Sequence, residues 1–144
     1  MFKNHTIHKT YLALVSGSPD KKGSINLPIG RHPVQRHKMA TVGIDTKPAL
    51  THYQTLASYP NCTLVSARIV TGRTHQIRVH FQALGHGLIG DEVYGVLSPH
   101  IIRQALHSWK IAFEFKGKHY SYTCPLPEDL KQLVVIYNAQ QKKL

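Results

Sequence analysis

The densest chemistry in the chain is the string Gly72-Arg73-Thr74-His75-Gln76-Ile77-Arg78-Val79-His80, with two arginines and two histidines in nine residues. It falls where a strand pattern gives way to a helix pattern. A helix N-terminus offers unpaired N–H groups and the positive end of the helix dipole, so such a junction suits a phosphate or a carboxylate. Arg73 would precede the helix, and Arg78 would sit one turn inside it. An equally weighted reading makes Arg78 and Gln82 a solvated helix face. A second basic cluster, Arg31, His32, Pro33, Arg36, His37 and Lys38, crowds the stretch Gly30 to Lys38. It reads either as a solvated loop or as an arm that faces phosphate.

Other spacings point away from further chemistry. Gly85-His86-Gly87-Leu88-Ile89-Gly90 satisfies G-x-G-x-x-G, but the dinucleotide fingerprint needs a strand before it and a helix after it. Here a helix precedes and no helical face follows, so a tight loop is the better reading. Eleven histidines invite a metal, yet none has zinc-finger or H-E-x-x-H spacing. His75 and His80 fall on different faces of a helix. There is no nucleophile elbow and no phosphate-binding P-loop. No metal and no organic cofactor is expected.

The elements that must carry these residues are mostly strands. Lys9 to Val15 alternates, with Tyr11, Ala13 and Val15 on one face and Thr10, Leu12 and Leu14 on the other. Ser24 to Ile29 is a short second strand. Leu50 to Tyr59 places Thr51, Tyr53 and Thr55 at period two. Thr63 to Val70 sets Val65, Ala67 and Ile69 against Ser66 and Arg68. A helix fits His75 to Leu84, with Thr74 as N-cap and Gly85 just past its end. Ser108 to Phe115 alternates again, and Tyr120 and Tyr122 return across a Gly117 turn. Glu128 to Asn138 closes the chain as a helix with acids in its first turn and Leu130, Leu133, Val134 and Tyr137 facing inward. The fold class is α+β: a largely antiparallel sheet with one or two packed helices.

Composition narrows the partners. The chain has 144 residues, and its 18 Lys and Arg against seven Asp and Glu give a net charge of +11. That excess calls for a polyanion, nucleic acid first and an anionic membrane surface second. No apolar run approaches the roughly 20 residues of a membrane-spanning helix. Cys62 and Cys124 make no disulfide scaffold and fit a reducing compartment. With no signal-peptide pattern, the expected location is cytoplasmic. Residues 1–144 read as a single domain, with 1–8 and 139–144 as flexible ends.

The Gly72–His80 string resembles the third conserved motif of the RluA-type pseudouridine synthases, which isomerise uridine in structured RNA. Lys9-Thr10-Tyr11-Leu12-Ala13-Leu14-Val15 resembles the family's strand motif with a central Tyr. Leu27 to Pro33, then Arg36 to Met39, resembles its basic loop, and Lys47 to Tyr53 its next strand. Leu84-Gly85-His86, Ile89-Gly90-Asp91 and Tyr94-Gly95 resemble the loop after the motif helix. Arg103 to His107 and Pro125-Leu126-Pro127 resemble the C-terminal elements. The likeness runs from about Lys9 to about Leu133 and is strongest to the branch that modifies large-subunit ribosomal RNA.

The resemblance implies a partial pseudouridine synthase catalytic fold and a site for a uridine taken out of its stack. Tyr11 matches the family's Tyr, which lies against the uracil ring. Arg78 matches the Arg that pairs with the catalytic Asp, and Ile77 matches an apolar residue beside the pocket. Arg73, His75, Arg31, Arg36 and Lys38 are the expected substrate-binding residues, and the expected partner is RNA, foremost large-subunit ribosomal RNA. The family's Asp lies upstream of its Tyr in an Arg-Leu-Asp motif followed by Thr-Ser-Gly. None of Asp20, Asp45, Asp91, Glu92, Glu114, Glu128 or Asp129 has that context. The family's Pro after Gly-His is also replaced, by Gly87. The expectation is therefore the C-terminal part of a catalytic domain, inactive alone and completed by a second chain that carries the Asp. The alternatives are a noncatalytic RNA-binding module or a degenerate fragment. On this reading Arg78 has no carboxylate partner within the chain.

Overall fold

A computed structural model describes residues 7–142. Six strands form one sheet in the order β2-β6-β7-β1-β8-β9. They are β1 (His8–Ser16), β2 (Lys22–Asn26), β6 (Leu50–Ser58), β7 (Cys62–Ile69), β8 (Leu106–Phe115) and β9 (Lys118–Thr123). Every neighbouring pair is antiparallel. A small second sheet has the order β4-β3-β5, from β3 (Ile29–Arg31), β4 (Met39–Ala40) and β5 (Ile44–Lys47). The helices are α1 (Gln76–Ala83) and α2 (Glu128–Lys142). The ends expected to be flexible fall partly outside the described residues; within them, His8 opens β1 and α2 continues to Lys142.

The period-two pattern of β1 explains the layering. Ala13 and Val15 join Val65 and Ala67 of β7 in a cluster that receives Ile77 and Phe81 of α1. The alternate residue Leu14 joins Leu130 and Leu133 of α2, with Tyr59, in a second cluster. One helix therefore covers each face, and β1 is buried on both. Alanines at 13 and 67 leave room for α1 to approach, and Phe81 meets Tyr53 edge-on with ring centroids 5.4 Å apart.

Two expected elements differ. The strand expected over Ser24 to Ile29 ends at Asn26, and Ile29 starts β3 in the other sheet. Pro28 lacks an N–H and restricts Leu27 before it, so the ladder stops there. The helix expected from His75 with a Thr74 cap begins at Gln76 instead. His75 adopts a left-handed backbone with φ 57, and no side chain caps the helix. The buried Gln76 amide ties the turn. Its Oε1 accepts from the Arg73 amide and the Thr71 hydroxyl, and its Nε2 donates to the Leu50 carbonyl and the Thr51 hydroxyl.

That network ends at His80, which is fully buried. Its Nε2–H donates to the Leu27 carbonyl at 2.8 Å, so Nδ1 accepts from the Thr51 hydroxyl at 2.8 Å. The ring is held neutral. Burial lowers its pKa, and the bond to Leu27 offsets only part of this. Unfolded His80 takes up a proton near pH 6.5, which the folded ring resists. Stability from this group is full above that pH and is lost as the pH falls, at up to about 1.4 kcal/mol per pH unit. Urea unfolding followed downward from about pH 7.5 should show the midpoint falling, with the folded His80 ring titrating by nitrogen NMR at a lower pH than in the unfolded chain. A pH-independent midpoint would contradict the assignment.

Candidate active site

Tyr11, Arg73, His75, Ile77 and Arg78 line one pocket of about 240 Å³, with Ile69 and Leu106 as its apolar walls. β1 delivers Tyr11 opposite Ala67 on β7 and Ser108 on β8. The β1–β8 register shifts between Thr10 and Tyr11, which skips Trp109. A bulge of this kind re-aims nearby side chains, here at the strand position that opens into the pocket. Ile77 is 4% exposed, so it seals the pocket floor while it anchors α1.

Arg78 does not lack a carboxylate, and the expectation of an unpartnered guanidinium is corrected. Its Nε donates to Oδ2 of Asp91 at 2.8 Å and one Nη donates to Oδ1 at 3.0 Å. The side chains of Arg78 and Asp91 are 13% and 0% exposed. The partner lies 13 residues away, and a folded loop rather than helical spacing brings it in. Asp91 Oδ1 also accepts from the Val93 and Tyr94 amides. Burial pushes the Asp91 carboxyl up, but the bonds from Arg78, Tyr94 and Val93 together with the charge of Arg78 hold it below its usual range. The bond to Asp91 raises the Arg78 pKa further. Both are charged at neutral pH.

The loop is built by glycines. Gly90 has φ 82, and a Cβ there would lie 2.1 Å from the Arg103 carbonyl oxygen. A Cβ on Gly95 would lie 2.1 Å from the Leu88 carbonyl oxygen. Only glycine lets these backbones close on each other. The G-x-G-x-x-G string is thus a packing loop after a helix, with no dinucleotide context.

Tyr94 completes the site. Its ring lies 4.9 Å from the Arg78 guanidinium. Its hydroxyl accepts from the Met39 amide at 2.8 Å and shares a hydrogen bond with Nδ1 of His75 at 2.9 Å. Burial lowers the His75 pKa, the charge of Arg78 lowers it further, and Asp91 opposes both. Lys38 reaches the same ring, its Nζ 5.5 Å from the centroid.

Arg31 and Arg36 are not in this pocket. They line a larger cleft of about 560 Å³ between the small sheet and the turn before α1, where Arg73, Thr74 and Lys47 face them. Arg73 therefore borders both spaces, and its Nε is held by the Pro48 carbonyl at 2.8 Å. Asp91, Tyr94 and Gln76 are site residues that the sequence reading missed. The signal for the first two was their place in a turn directly after a glycine-rich loop. Among the described residues, no Asp or Glu lines the Tyr11 pocket, and no group of three His, Cys, Asp or Glu could hold a metal ion.

A family model described as RNA pseudouridylate synthase matches residues 1–83. A protein of Nitrosomonas europaea named ribosomal large subunit pseudouridine synthase D is 42% identical over 143 residues, spanning 92% of this chain and 41% of its own length. A protein of the same name from Zymomonas mobilis is 38% identical, spanning 92% of this chain and 45% of its own length. The chain thus spans less than half the length of these curated relatives. Among solved structures, human RNA pseudouridylate synthase domain containing 1 superposes with a TM-score of 0.75 at 28% identity, over 94% of this chain and 67% of that one.

Proposed function

The chain belongs to the RNA pseudouridylate synthase family, and from that premise we propose that it is the base-binding part of an enzyme that converts uridine to pseudouridine in large-subunit ribosomal RNA. The observation that carries this reading is the meeting of Tyr11 and Arg78 in one pocket, bordered by a basic cleft. In the reaction the bond from N1 to the ribose carbon breaks and a bond from C5 to that carbon forms. The proton on C5 leaves, N1 gains one, and no redox step occurs. Tyr11 stacks on the flipped base and moves the C5 proton through its phenol. Arg78 orders the carboxylate that attacks or assists. That carboxylate comes from polypeptide outside the described pocket, so the chain is inactive alone. Its place of action is the cytoplasm.

The test is complementation. The protein is mixed with the polypeptide upstream of the matched region of the Nitrosomonas relative, and pseudouridine is measured in ribosomal RNA. Pseudouridine made only by the mixture is the expected result; none in any mixture overturns the enzyme reading. The cations of the larger cleft favour a second reading, a noncatalytic RNA-binding module. Either way Arg31 and Arg36 face phosphate. Arg31→Ala or Arg36→Ala should each weaken RNA binding equally across sequences and reduce the slope of log affinity against log salt by about 0.7–0.9. Filter binding over a salt series measures it, and unchanged slopes would remove both arginines from the interface.

A further inference from the structure

Asp91 is buried completely, and its carboxylate receives four donors: Nε and one Nη of Arg78, and the amides of Val93 and Tyr94. It cannot touch substrate, and both of its oxygens are engaged. We infer that Asp91 is a positioning residue: it reserves the Nε edge of Arg78 and leaves the outer Nη edge to receive a second carboxylate in the Tyr11 pocket. The identity of that second carboxylate, the acid of the completing polypeptide, rests on the function proposed above.

A guanidinium has five N–H groups. Two are taken by Asp91. The remaining three lie on the two Nη atoms, whose outer edge can still form a parallel pair of bonds with one carboxylate. Asp91 therefore decides which of two fork-shaped edges an incoming acid can use. Its own position is fixed by the closures at Gly90 and Gly95. The Tyr94 ring flanks the guanidinium at 4.9 Å, and that ring belongs to a residue whose amide Asp91 also binds. One carboxylate thus sets the edge directly and holds the residue that flanks the guanidinium.

The electrostatics limit what the site can do alone. Asp91 already neutralises Arg78, so a second carboxylate meets a pair of zero net charge. It is held by bond geometry rather than by net attraction. A free small carboxylate should accordingly bind weakly, and the acid must be brought by the rest of a docked polypeptide.

The test uses the full chain with nitrogen-labelled arginine and acetate as the probe, read by low-temperature NMR of the Arg78 side chain. In the wild type, acetate should shift the Nη resonances and leave Nε–H in place. In Asp91→Asn, acetate should shift Nε–H as well, because that edge is no longer held by a charge. If Asp91→Asn does not fold, the wild-type titration decides by itself. A wild-type Nε–H shift, or no shift at any Arg78 nitrogen up to molar acetate, overturns the inference. The measurement needs no turnover, so a failed complementation assay strikes the proposed function and leaves this result standing.

Discussion

Asp91→Ala should lower the folding free energy by about 3–5 kcal/mol, because removing one member of a buried pair strands the other charge. Arg78 would keep its guanidinium in a site that is 13% exposed with no counter-ion, and the Val93 and Tyr94 amides would lose their acceptor. Adding Arg78→Met should restore much of the loss, since no buried charge then remains. Urea unfolding of the two single variants and the double variant gives the comparison. A cost under about 1 kcal/mol for Asp91→Ala would show that the pair is not buried as described. The pH arm has a fixed sign. The Asp91 pKa is lowered in the fold, so its stabilisation is present above the ordinary carboxylate range, near pH 3.8, and is lost as the pH falls below it. The His80 loss begins near pH 6.5, so it sets in first as the pH falls.

Tyr11→Phe should reduce pseudouridine formation by about 10²–10⁴-fold in the complemented enzyme, the range for removing a positioned proton-transfer group. The ring stays, so base stacking and RNA affinity should change little. The loss should therefore fall on kcat with KM nearly unchanged. Arg78→Ala should abolish turnover as well, and it should also destabilise the fold through Asp91. Tyr11→Phe is the cleaner experiment for that reason. A Tyr11→Phe enzyme with wild-type kcat would show that the phenol moves no proton.

Much of this architecture is legible wherever a local period decides the outcome. Tyr11, Ala13 and Val15 alternate with Leu12 and Leu14, and the strand and its two buried faces follow. Leu130, Leu133 and Tyr137 share a helical face, and α2 follows. Gly85 marks the end of α1 with φ 83. What stayed hidden depends on distant backbone. The pairing of Arg78 with Asp91 requires the Leu88 and Arg103 carbonyls to press against Gly95 and Gly90, and no spacing announces that. The left-handed His75 bonds to Tyr94, 19 residues on. Pro28 carried a usable warning: the strand break it causes follows from the ring alone.

β1 lies between two paired strands and beneath two helices, whereas the strands of the small sheet are two to four residues long and β5 is exposed throughout. Amide hydrogens along β1 can meet solvent only when the whole domain opens, while those of the small sheet exchange through local fluctuations. Tyr11 and the Arg31–Arg36 cleft are thereby mounted on parts with different lifetimes. On the function proposed above, the arginines set to grip a backbone could yield to irregular RNA shapes without disturbing the ring meant to hold the base still.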